Sequence, residues 1–226
     1  MQKELPTTDQ NLSRVARLLA EVRKTPPVIR GNLLFALDAT ASRQPTWDIA
    51  GQLTAAMFKE IALLGSLDMQ LVYFRGPRDL GGECKASRWV SNPAEMTKIQ
   101  CMGGLTQIER VLTAAVHETI SRKINALVFV GDCCEEPLDR LVTPAARLGA
   151  LNVPTFMFQE GHNPEAELHF RKIAERTHGA YHRFDQGSAR QLGELLRAVA
   201  SFAVGGIAAL EKQGSEASRL LLRQIR

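Results

Sequence analysis

Cysteine is scarce in this sequence. Its 226 residues include only four, Cys84, Cys101, Cys133 and Cys134, two of them adjacent. That is too few for a disulfide scaffold, and none has the C-x₂-C spacing of structural zinc, so reduced thiols are expected. Long hydrophobic runs are missing as well. The longest, "AVASFAVGGIAAL" at 198–210, has 13 residues against the roughly 20 that cross a bilayer, and it contains two glycines and a serine. It reads as a buried helix. The stretch "MQKELPTTDQ" has no apolar core of the secretory kind. Nor is charge of one sign concentrated. The net charge is +4 and the pI near 9.0, yet Lys and Arg are interleaved with Asp and Glu. Without a basic block or an aromatic-basic stripe, nucleic acid is not an expected partner. These absences together predict a cytoplasmic protein that engages neither nucleic acid nor membrane. No G-x-G-x-x-G or G-x-x-x-x-G-K-[ST] follows an apolar strand, and Ser42 is not in a G-x-S-x-G elbow, so the common nucleotide and hydrolase motifs are excluded.

What remains is ordinary globular usage, 45% hydrophobic and 23% charged, in a length that suits one large domain with appended ends. Residues 12–23 place Leu12, Val15, Leu19 and Val22 on one helical face, and "KTPP" stops that helix. "NLLFALD" (32–38) is too short and too apolar for a surface helix and reads as a buried strand. A helix follows, capped by Thr46 and burying Ala50, Leu53, Met57, Ile61 and Leu64. Further strands are expected at 69–74, 83–90, 125–132, 153–159 and 180–185, with helices from near Thr106, over 137–148, over 164–177 and from Ser188. The 83–90 strand, with Lys85 and Arg88 and a tight connection to its predecessor, reads as an antiparallel edge. Strands alternating with helices predict an α/β, doubly wound (Rossmann-like), mostly parallel six-stranded sheet with one antiparallel edge strand and helices on both faces. The corresponding division is an N-terminal helix and linker (1–29), a main domain (30–205) and a C-terminal helical tail (206–226).

In such sheets, sites form beyond the carboxyl ends of the strands. Asp38 and Asp132 both end apolar strands. Alternate residues leaving a strand can project to one side, which gives Asp38, Thr40 and Ser42 a common direction. Thr106 follows Gly103 and Gly104, which permit close backbone approach. These side chains offer hard oxygens and no soft ligand, a set suited to Mg²⁺, Mn²⁺ or Ca²⁺.

The motif Asp38-Ala39-Thr40-Ala41-Ser42, then Thr106, then Asp132 resembles the metal-ion-dependent adhesion site of von Willebrand factor A (VWA) domains. That site reads D-x-S-x-S after the first strand, a threonine in a later loop, and an aspartate ending the fourth strand. The resemblance covers about residues 30–205. It implies a non-enzymatic module in which Thr40, Ser42 and Thr106 contact the metal directly, and Asp38 and Asp132 act partly through water. It also implies that an Asp or Glu of a partner protein completes the shell, within larger assemblies that include AAA+ ATPase systems. Two positions depart from the pattern. Thr40 stands where the first serine is usual, and Cys133 follows Asp132 where glycine is common.

Each residue has a plainer reading too. Thr106 and Glu109 form a T-x-x-E capping box, Thr40 and Ser42 can satisfy loop backbone, and Asp38 can be a turn aspartate. Glu135, Glu136 and Pro137 look like the first turn of the following helix. The four cysteines read as small buried hydrophobes. His178 and His182 are separated by Gly179 and a strand start, which argues against a helical metal pair, and Glu160 and His162 follow the fifth strand on the same rim, as partner contacts at most. Two other function classes stand beside the binding module. One is a metal-dependent phosphohydrolase, although a dehalogenase-like enzyme needs an acid where Thr40 stands, and a receiver domain needs paired acids that are absent. The other is a VWA scaffold that binds no metal.

Overall fold

The computed structural model describes residues 30–40, 67–76, 82–89, 102–185 and 188–225. The helices expected at 12–23 and after Thr46, and the residues Ser42 and Cys101, lie outside them. Six strands form one sheet: β1 (Gly31–Asp38), β2 (Leu67–Arg75), β3 (Glu83–Ala86), β4 (Ala126–Gly131), β5 (Thr155–Glu160) and β6 (Ala180–Phe184), in the order β3-β2-β1-β4-β5-β6. All neighbours pair in parallel except β2 with β3, the antiparallel edge. This is the sheet that the alternation of strands and helices predicts.

The strands are apolar on both faces because both faces are covered. On one side α1 (Ile108–Ser121), α2 (Leu138–Ala150) and α3 (Pro164–Arg176) bury Val111, Leu112, Leu141, Leu148, Phe170 and Ile173 against Leu34, Ala36, Leu127, Phe129 and Met157. On the other, α4 (Ala189–Gln213) and α5 (Glu216–Leu222) place Leu192, Leu195, Leu196, Val199, Ala203 and Leu221 over Leu33, Phe35, Val128, Phe156 and Phe158. Each large side chain so buried stabilises the fold by about 1.5–3 kcal/mol. The α4 helix contains a stretch, Arg190–Gln213, long and apolar enough to cross a membrane by length and composition, and it holds the expected buried run. Its apolar face is occupied by the sheet, and it breaks at Gly206, whose φ of 64° only glycine adopts without strain.

The third strand is shorter than its sequence suggests, for a local reason. Beyond Ala86 the Ser87 hydroxyl, rather than a backbone carbonyl, accepts the Leu71 N–H at 3.0 Å. At the opposite margin, β6 is the outer strand of the described sheet. There the Gln224 side chain accepts from the Tyr181 N–H and donates to the Tyr181 carbonyl, both at 3.0 Å. One amide thus occupies both backbone groups that Tyr181 would offer to another strand. The amino ends of the strands are tied by Arg122, which bonds Asn32 and Asp68 and lies 4.4 Å over the Trp89 ring.

Strand order reverses between β1 and β4. Their carboxyl ends therefore open onto the crevice where ligands bind in doubly wound sheets.

Candidate functional site

Leu37 pairs with Val130, so Asp38 and Gly131 end the two central strands side by side and Asp132 follows on the same rim. Asp38 is fully buried. Its Oδ1 accepts from the Thr40 N–H at 2.8 Å, a turn closed by the aspartate side chain two residues ahead of the donor. The chain stays extended past the strand. Ala39 donates to the Phe74 carbonyl and accepts from the Met102 N–H, both at 3.0 Å, and Thr40 forms a parallel bridge with Met102. These bonds bury Thr40 to 5% exposure and bring the 102–107 loop alongside the end of β1. Asp38, Thr40 and the Thr106 loop are thereby brought together, and Ser42 lies outside the described residues.

The 102–107 loop is held from two further directions. A Cβ added at Gly104 would sit 2.3 Å from the Gly76 carbonyl carbon, so only glycine allows these two loops to touch. The Gln107 side chain, 1% exposed, donates to the Gly76 carbonyl at 3.1 Å. Thr106 and Glu135 exchange two hydrogen bonds. The Thr106 N–H donates to Glu135 Oε2 at 3.0 Å, and the Glu135 N–H donates to Thr106 Oγ1 at 3.1 Å.

Two of the plainer readings fail here. The T-x-x-E capping box does not form. Gln107 is the N-cap of α1 and makes no capping bond with its side chain. The cap arrives from the β4 loop instead, where the Glu136 carboxylate accepts from the N–H groups of Ile108 and of Glu109 (3.0 Å for the latter). Glu135 and Glu136 are likewise not the first turn of the following helix, which starts at Leu138 after Pro137. Acids do favour a helix N-terminus. The helix they serve is the preceding one, because the fold lays its exposed N–H groups against the β4 loop.

The two cysteines beside Asp132 also do more than fill space. Cys134 is 2% exposed and its Sγ lies 3.1 Å from Nδ1 of His169, itself 6% exposed. Cys133, half-buried, accepts from Asn163 Nδ2 at 3.2 Å. Burial, reinforced by the neighbouring glutamates, pushes the Cys133 thiol to about 11 and the Cys134 thiol to about 12. Both are neutral at physiological pH, unlike the thiolate that a nucleophile or a zinc ligand requires. The third described cysteine, Cys84, is also pushed up by burial and borders an open cleft of about 390 Å³ with Arg110 and His117, on the outer side of α1.

Asp132 contributes an unsatisfied oxygen to this crevice. Among the described residues, Asp132 Oδ1 is buried and meets no hydrogen-bond donor. A buried carboxylate oxygen left so costs about 1–3 kcal/mol or more, and each such atom calls for a ligand or a role. The available donors are carboxylate and hydroxyl oxygens, and no three His, Cys, Asp or Glu side chains converge among the described residues. A cation held here relies on Thr40 and Thr106 hydroxyls beside Asp38 and Asp132, which is the chemistry of a hard, oxygen-preferring ion. The chemistry of this donor set would suit Mg²⁺, Mn²⁺ or Ca²⁺. Sequence reasoning missed Gln107, Asn163 and His169 as parts of this region and assigned Glu135 and Glu136 to the wrong helix. Their partners lie 27–35 positions away or in other loops, beyond any local pattern.

No family model and no curated protein matches the sequence. Solved structures do match the fold. The pilus adhesin SpaC from Lactobacillus rhamnosus GG, in its open conformation, superposes with a TM-score of 0.62 over 80% of this chain at 9% identity. This chain spans only 30% of that adhesin. The SpRpn10 VWA domain gives 0.51 at 14% identity over 74% of this chain and 94% of its own. Proximal thread matrix protein 1 from the mussel byssus gives 0.53 at 15% identity, over 88% of this chain and 53% of the other. Likeness at these identities is a likeness of fold, and the fold of this chain is VWA-like.

Proposed function

We propose that the protein is a non-enzymatic, divalent-cation-dependent protein-binding module. In this reading Asp38, Thr40, Ser42, Thr106 and Asp132 hold Mg²⁺ or Mn²⁺, and an Asp or Glu of a partner protein completes the coordination. The observation that carries it is the buried, donorless Asp132 Oδ1 on the same rim as Asp38, Thr40 and Thr106. Neutral hydroxyls leave a divalent ion less neutralised than directly bound carboxylates would, so the ion supplies electrophilic affinity for an incoming carboxylate. The chain's own part is to fix oxygens. Asp38 orients Thr40 through its backbone N–H, and Glu135 orients the Thr106 hydroxyl while leaving that oxygen a lone pair. Met102 and Leu105, 49% and 59% exposed on the Thr106 loop, add apolar contact for a docking chain. The neighbours in fold, a pilus adhesin, a thread matrix protein and the human COPII-coat protein Sec24c, support an interaction role. Work inside an intracellular assembly, AAA+ systems among them, belongs to the same proposal.

Thermal melting with Mg²⁺ or Mn²⁺ against EDTA tests it. At a cation concentration about 100 times Kd, linkage stabilises by about 2.7 kcal/mol, which is roughly 5–10 °C in a domain of this size. Asp38→Ala and Asp132→Asn abolish the shift and the capture of acidic peptides. In EDTA, Asp132→Asn keeps about the stability of wild type, since the carboxylate oxygen Oδ1 that it replaces meets no donor. A wild type that ignores divalent ions, or variants that respond as it does, sinks the proposal.

A further inference from the structure

Four consecutive residues after Asp132 each reach out of their own loop. Cys133 is held by Asn163 and Cys134 by His169, both from the α3 segment. Glu135 is held by Thr106, and Glu136 closes over the first N–H groups of α1. Two successive side chains are thus fixed to the α3 segment and the next two to the loop and first turn that begin α1, while the Asp132 carboxylate oxygen beside them is left without a donor. The anchors are themselves rigid. Asn163 is the N-cap of α3, its Oδ1 accepting from Glu165 N and Ala166 N at 3.0 Å, which aims Nδ2 at the Cys133 sulfur. Aspartate or serine caps a helix equally well, but an ionised aspartate has no donor and a serine has only its one short hydroxyl for both tasks, whereas the amide caps through Oδ1 and donates through Nδ2. His169 is buried on the same helix, and its Nδ1 faces the Cys134 sulfur. Directly after Asp132, the chain carries a thiol with its own hydrogen-bond partner.

We propose that Asn163 and His169 are positioning residues which, by holding Cys133 and Cys134, set the place of the Asp132 carboxylate and make the 132–136 loop a bridge between the N-terminal ends of α1 and α3. The effect on cation affinity rests on the function proposed above; the mechanical bridge does not. Cysteines that serve only as filler make a different prediction. Valine then replaces Cys134 without consequence, whereas a hydrogen-bonding role is rescued by serine and lost in valine.

The experiment compares wild type, Asn163→Ser, Cys134→Ser and Cys134→Val by amide hydrogen exchange and by calorimetric titration with Mn²⁺ alone. Asn163→Ser keeps the helix cap and the melting temperature. It speeds exchange in residues 132–136 and in the first turn of α1, and lowers Mn²⁺ affinity about 10-fold, the low end for a residue that orients a metal ligand. Cys134→Val does the same, and Cys134→Ser resembles wild type. Wild-type exchange and affinity in Cys134→Val, or faster exchange confined to α3, overturns the proposal. If wild type takes up no Mn²⁺, the cation reading fails on its own, and the exchange pattern alone still decides whether the bridge exists.

Discussion

Asp132 and His182 show how little a residue's type says before its surroundings are known. Asp132 could be read as the end of a strand and as part of an ordered polar set, because strand termini and alternation are local properties. The donorless state of its Oδ1 was not legible, since it depends on which donors the fold brings near. Glu135 and Glu136 carried a true signal, acids before a helix, that pointed at the wrong helix for the same reason. His182 was legible only as not belonging to a metal pair with His178. In the structure it is half-buried on β6, and burial, aided by the charge of Arg183 and opposed by Glu216, lowers its pKa from the ordinary 6.5. The sign follows. The unfolded chain takes up a proton near pH 6.5 that the folded chain refuses, so stability is full above that value and falls as the pH drops through it toward the lowered one. Urea midpoints at pH 7.5 and 5.5 check this: His182→Gln should lose less stability across the interval than wild type. An equal loss in both means His182 is not responsible.

At the scale of elements the sequence was informative, and the described strands and helices stand close to where periodicity put them. The reason is burial on both faces, which writes near-continuous apolar runs into the parallel strands and a 3.6-residue pattern into the helices. What local pattern could not place was how elements end. At Ser87, just past the end of the third strand, the Ser87 N–H still reaches the Leu71 carbonyl at 2.7 Å but a serine hydroxyl replaces the carbonyl as acceptor for the Leu71 N–H. The α1 helix starts without a cap of its own because Glu136 supplies one from 28 positions downstream. Removing that carboxylate by Glu136→Ala leaves N–H groups of α1 without their acceptor. It should cost about 1–2 kcal/mol, as loss of a helix cap does, read as a lower urea midpoint with an unchanged m-value. Glu109→Ala, which removes the acid of the unformed capping box, should cost clearly less. If the two variants cost the same, the cap is misassigned.

At the scale of the whole molecule, the described residues form a sheet with two margins that end differently. One carries the short β3, with charged Glu83 and Lys85. The other is β6, closed at Tyr181 by the Gln224 side chain. The tail helix was expected from sequence, but its docking was not, because a single glutamine beyond a seven-residue helix has no pattern that names its partner. Leu221 in the core brings Gln224 to the edge. Gln224→Ala should leave the melt nearly unchanged, since a net hydrogen bond is worth only about 1 kcal/mol. It should nevertheless release the Tyr181 amide to exchange and produce concentration-dependent species in sedimentation. An unchanged Tyr181 amide would show that the glutamine does not guard this edge. A β-sheet carries no internal instruction to stop adding strands, and its rim is a template for the next chain. Here one position on that template, Tyr181, is filled by a primary amide, so a two-bond contact made by one side chain blocks a pairing site for an incoming strand.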